Sequence, residues 1–237
     1  MPLTRWRERE AATIENEALR VTVLREGGHV AEILHKKTGV NPLWVPPWPT
    51  IEPSQYDPAK YPIYGSDAEA KLLCGIAGHN VCLDLFGGPT TEEAAAGLTT
   101  HGEGSVTAYS LSLTAGGLEM RATLPLHGIA FARAIRLEGE RVRFFETVEN
   151  LTATDRPIAY TQHVTLGPPF LEVGRTEFRI PGTRSMTYPE DFAGPNGYLP
   201  LGAIFDWPQA PRKDGKGTVD MRRLQNVPAS AGYSAHL

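Results

Sequence analysis

Two histidines carry the chemistry that is easiest to recognise in this chain. His101 stands in His101-Gly102-Glu103-Gly104, behind the run Asp84-Leu85-Phe86-Gly87-Gly88-Pro89. His163 closes Ile158-Ala159-Tyr160-Thr161-Gln162-His163, a strand-like segment. An imidazole titrates near neutrality, so it can donate or accept a proton without help from a cofactor. The glycines around His101 allow a ligand to approach the backbone. Carboxylates such as Glu103 and aromatics such as Trp44, Trp207 and Phe170 complete the set. Aromatic rings stack on the apolar face of a sugar, although each of these also suits a core. Together the residues fit proton transfer on a neutral polar substrate.

Other chemistries lack their residues. The chain has no Gly-x-x-x-x-Gly-Lys for phosphates, no Gly-x-Ser-x-Gly elbow and no His-Glu-x-x-His, so no metal framework is expected. A net charge of −4 gives no electrostatic reason to expect nucleic acid or an anionic membrane as partner. Cys74 and Cys82 are too few for a disulfide framework, which points to a reducing cytoplasm. Met1 to Glu10 is charged rather than apolar, unlike a secretory signal. No run of about eighteen apolar residues is present to span a bilayer.

The elements that must hold the histidines read as strands. Leu19, Val21 and Val23 alternate with Arg20, Thr22 and Leu24, and the pair of glycines at 27–28 turns the chain into a second strand over His29 to Leu34. His29 and His35 are expected on the sheet surface. Thr4 to Glu10 reads as a frayed arm or a turn of helix. Between Val45 and Tyr64 six prolines forbid a central strand or a helix, yet Trp48, Tyr56, Tyr61 and Tyr64 are too many aromatics for a disordered linker. An ordered loop over one end of the sheets is expected, plugging a core or walling a pocket. Leu72 to Phe86 reads as short buried strands, and Thr90-Thr91-Glu92-Glu93 has capping-box spacing for a short helix. Beyond Gly104, strands recur at about ten-residue spacing with small turns, the pattern of a sandwich or barrel. No βαβ alternation appears, and one domain over 1–237 is expected.

The order of several short motifs resembles a family. Gly-Gly-His-Val-Ala-Glu, Leu-Phe-Gly-Gly-Pro, His-Gly-Glu, and Val148-Glu149-Asn150-Leu151-Thr152 ahead of His163 are similar to the aldose 1-epimerase (galactose mutarotase-like) family over roughly residues 18 to 210. The resemblance implies an all-β fold, a large antiparallel β-sandwich of the supersandwich type, here with one short helix. It implies a hexose as ligand, interconversion of its anomers by ring opening, and no cofactor. His101 would bind near the ring oxygen, and His163 would donate the proton to it. Asp206, in Phe205-Asp206-Trp207, would match a substrate-binding aspartate, with Glu103, Trp44 and Phe170 as further binding candidates. The chain departs from the family in lacking arginine between Arg25 and Arg121 and in lacking any carboxylate after Asp220, where a glutamate base is usual. A sandwich incomplete at its C-terminus, a homodimer formed through an exposed strand edge, and a non-catalytic sugar-binding protein are the corresponding expectations.

Overall fold

The computed structural model describes residues 3–191, 194–225 and 232–237. The chain divides into two compact units, residues 1–170 and 171–237. In the first, six strands form one antiparallel sheet in the order β1 (Thr4–Trp6), β2 (Arg9–Glu15), β3 (Leu19–Leu24), β4 (Val30–His35), β5 (His79–Leu83) and β10 (Tyr160–Val164). Four more form a meander of β6 (Ser110–Thr114), β7 (Gly117–Leu124), β8 (Ile129–Glu138) and β9 (Arg141–Asn150). The inward residues of both sheets share one core. Val21 and Val23 of β3, Val81 and Leu83 of β5, and Leu118, Met120, Phe131 and Ile135 of the meander all lie in it. This is the two-layer packing that period-two alternation calls for. The β3–β4 turn needs its glycines: Gly28 has φ +59°, and a Cβ there would fall 2.4 Å from Met120 Cε.

The amino-terminal segment forms a hairpin rather than an arm. Its charges misled the sequence reading because one of them is buried. Arg9 is sealed inside, donating to Glu52 at 3.2 Å and to the Glu26 carbonyl at 2.9 Å. Burial lowers the pKa of this guanidinium, and Glu52 partly offsets the effect. The same pair ties the proline-rich loop to β2. That loop is ordered, as its aromatics required: Tyr64, Ala70 and Cys74 form a satellite core with Trp48, Ile51, Tyr56 and Tyr61. Part of the stretch read as strand is instead a helical turn, α1 (Ala70–Leu73), followed by β5. Ala-Lys-Leu-Leu are strong helix formers, which explains the difference. The helix expected after Thr90 is present as α2 (Thr91–Ala95) with a complete capping box, Thr90 Oγ1 accepting from Glu93 N–H at 3.2 Å.

The second unit has its own core of Leu199, Phe205, Ala210 and Val219. In it β11 (Arg184–Thr187) lies between β12 (Ile204–Asp206) and β15 (Ser234–His236), and β13 (Gln209–Pro211) pairs with β14 (Thr218–Asp220). Among the described residues no helix is long and apolar enough to cross a membrane.

Candidate functional site

The two sequence-identified histidines meet. Their ring centroids lie 5.0 Å apart, and Phe86 stacks on His101 at 5.0 Å with only 13° between the planes. Phe86 also approaches the His163 ring, at 6.4 Å.

Local backbone places His101. It is one of few non-glycine residues with positive φ, +67°, and Gly102 follows at +77°. A left-handed histidine costs about 1 kcal/mol, so the surrounding structure must impose it. His101 N–H donates to the Gly87 carbonyl at 3.0 Å, and Gly87 N–H donates back to His101 Nδ1 at 3.1 Å. Gly102 cannot carry a side chain, since a Cβ would lie 2.6 Å from the Leu83 carbonyl oxygen. The stretch is a tight turn entering a short 3-10 segment, Glu103–Ser105, rather than the mouth of a strand. Because Nδ1 is an acceptor, the neutral ring carries its proton on Nε2.

Strand β10 places His163. Its residues alternate: Thr161 and His163 face one way, Tyr160 and Gln162 the other. The second set, both exposed, joins a polar cluster that links the two sheets. Fully buried Arg133 donates to Glu146 at 2.6 Å and to Gln162 Oε1 at 3.1 Å. Gln162 in turn donates to Glu146 Oε2 at 2.7 Å and meets His79 Nε2 at 2.5 Å, while the Tyr160 hydroxyl donates to Glu146. Arg133 therefore fixes the strand that presents His163 without facing the histidine pair.

Both imidazoles are neutral near pH 7. Burial, then the neighbouring His163, brings His101 down to about 4. Burial also lowers His163, whose Nδ1 lies 3.5 Å from Thr165 Oγ1. Directly opposite His163 on β5 stands Asn80, fully buried. Neither amide atom of Asn80 meets a hydrogen-bonding partner among the described residues. A buried orphan amide costs about 1–3 kcal/mol, and opposed residues of antiparallel strands share a face. Asn80 thus leaves a donor and an acceptor unpaired behind His163, closed off from solvent. Sequence reading missed it because an asparagine within an apolar strand has no motif around it.

The other candidates have surroundings of their own. Glu103 is buried and accepts from His127, from its backbone N–H at 3.0 Å and its Nδ1 at 3.1 Å. Asp84 is paired with Arg156 and accepts from Ala159 N–H. Trp44 packs edge-on against Trp48, 5.5 Å away, and its backbone N–H donates to the Thr165 carbonyl just beyond β10 at 2.8 Å. Phe170 is half-exposed at the end of the first unit. Asp206 ends β12 in the second unit, opposite Arg184. His29 is not on the sheet surface as expected. It is fully buried, with Nε2–H donating to the Ser105 carbonyl at 2.9 Å and Nδ1 accepting from Ala77 N–H at 3.0 Å. It braces the 3-10 segment that follows His101. His35, by contrast, is partly exposed at the end of β4, as read.

No family model and no curated protein matches this chain. Among solved structures, a galactose mutarotase-like protein from Lactobacillus casei ATCC 334 is similar, with a TM-score of 0.53 and 13% sequence identity. The match covers 89% of this chain and 67% of that one. At that identity the likeness shows the fold, an all-β architecture of antiparallel sheets of the galactose mutarotase-like kind.

Proposed function

We propose that the first unit binds a neutral aldose in its ring form against the contacting pair His101 and His163 and interconverts its anomers, in the manner of an aldose 1-epimerase. The observation that carries this reading is the pair of neutral imidazoles 5.0 Å apart beside Phe86, on a fold of the galactose mutarotase-like kind. His101 holds the ring oxygen through its Nε2–H. His163, when protonated, delivers a proton to that oxygen as the C1 hydroxyl gives its own proton to water. The bond from C1 to the ring oxygen breaks, the aldehyde rotates about its bond to C2, and reclosure gives the other anomer. Phe86, itself exposed, covers an apolar patch of the ring. Arg156 is spent on Asp84, which favours an uncharged sugar over a phosphorylated one. Because burial lowers the His163 pKa, the acid-assisted rate rises as pH falls below the ordinary histidine range.

One observation favours a second reading, a sugar-binding protein without turnover. Asp84 and Glu103, the acids of the two motifs that flank His101, are committed to Arg156 and His127, so neither is free as a base. Polarimetry of freshly dissolved α-galactose separates the two. Under the first reading the protein accelerates the decay of rotation and His163→Ala abolishes the acceleration. Background rates in both proteins, with sugar binding retained, support the second. Background rates with no binding refute both.

A further inference from the structure

We propose that β9 is a dimerisation strand that pairs antiparallel with β9 of a second copy of this chain. The strand runs ten residues, Arg141–Asn150, and pairs with β8 in unbroken register from Glu138–Arg141 to Ile129–Asn150. No described residue pairs with its other edge. It contains no proline, glycine or lysine and no bulge, so its charges alone, Arg141, Arg143, Glu146 and Glu149, decide which strand the open edge accepts.

Hydrogen-bond parity limits what this edge accepts. The two-residue turn at 139–140 makes Glu138 and Arg141 the closing hydrogen-bonded pair. Just past the far end, Leu151 N–H donates to the Gly128 carbonyl at 2.8 Å, which fixes the same parity. Odd-numbered residues of β9 therefore spend their backbone groups on β8. Val142, Phe144, Glu146 and Val148 turn theirs outward.

Within that constraint the sequence complements itself. In the register centred on Phe145, Val142 meets Val148 and Phe144 meets Glu146 as hydrogen-bonded pairs. Between them, on the outward face, Arg141 meets Glu149, Arg143 meets Thr147, and Phe145 meets its own copy. The ends of the strand are thus of opposite charge, and an antiparallel mate sets each against its complement. Arg141 and Glu149 make no ion pair among the described residues, and Phe145 is 55% exposed at the proposed two-fold. Close non-hydrogen-bonded positions favour aromatic and opposite-charge pairs. A slip of two residues one way sets Glu146 against Glu146. The opposite slip leaves both arginines without an acid. A foreign strand offers no reason for this symmetry, whereas a second copy sets both charged ends and the central Phe145 against their complements.

The test uses the full chain in sedimentation velocity, with circular dichroism to confirm folding. The parent should dimerise, and Arg141→Glu or Glu149→Arg alone should weaken the dimer by on the order of tenfold. Each single change converts two attractive pairs into two repulsive ones. The double variant Arg141→Glu with Glu149→Arg restores the attraction and should restore the dimer. As an independent check, Phe145→Cys should cross-link copies on mild oxidation, because directly opposed residues at such a position lie about 4.5 Å apart at Cα. Thr147→Cys should not, since its copy lies roughly 13 Å away along the strands. Cys74 and Cys82 are buried and do not compete. A chain that stays monomeric at its highest soluble concentration overturns the proposal. So does a dimer indifferent to both single charge changes, or one held by a partner other than a second copy.

Discussion

His29 should make this protein acid-sensitive by an amount that can be calculated. The ring is fully buried, donates through Nε2–H to Ser105 and accepts at Nδ1 from Ala77 N–H. A second proton would turn an N–H against an N–H. Desolvation, and secondarily the charge of Arg9, lower its pKa from 6.5 to about 3. Since the folded value lies below the unfolded one, the unfolded state binds the proton first. The contribution of His29 is therefore intact above pH 6.5 and is lost progressively as pH falls toward 3. Between pH 7 and pH 5 the loss is about 2 kcal/mol. His79, lowered to about 4 chiefly by burial, acts in the same direction, so the quantity to measure is a difference. Urea denaturation of the parent and of His29→Gln at both pH values supplies it. The glutamine keeps a donor and an acceptor but does not titrate, whatever its effect on stability at pH 7. The variant should lose about 2 kcal/mol less than the parent over that interval. An equal loss in both proteins would refute the claim that His29 is held neutral between Ser105 and Ala77.

Three further outcomes follow from the same geometry. Gly102→Ala forces a Cβ to within 2.6 Å of the Leu83 carbonyl oxygen at φ +77°; it should cost about 1–3 kcal/mol in urea denaturation and weaken sugar binding by displacing His101. Arg133→Met strands Glu146 and should destabilise by up to about 3–5 kcal/mol, reduced by the partial exposure of Glu146, with recovery when Glu146→Gln is added. Asn80→Leu removes a buried amide that has no partner among the described residues, so stability should hold or rise by about 1 kcal/mol in thermal denaturation.

Much of the fold was legible because alternation records burial. Leu118, Met120, Ala122 and Leu124 of β7 could be assigned to one face from sequence, as could the hairpin around 27–28 and the capping box at Thr90. The errors have a common cause. Arg9 and His29 are polar residues that local pattern assigns to solvent, and only long-range partners, Glu52 for one and Ser105 for the other, make their burial affordable. The pairing of His101 with His163 could be suspected from two glycine- or strand-flanked histidines. The stacked Phe86 and the orphan amide of Asn80 could not, because both depend on the register of β5 against β10 and on the turn at His101.

The most direct test of the account is an NMR titration of the histidine side chains with galactose at neutral pH. The imidazole signals of His101 and His163 should shift together and yield one dissociation constant, while His35, partly exposed at the end of β4, stays unmoved. Binding of galactose that leaves both His101 and His163 unchanged, or no binding at millimolar sugar, would contradict the claim that these two side chains form the sugar site.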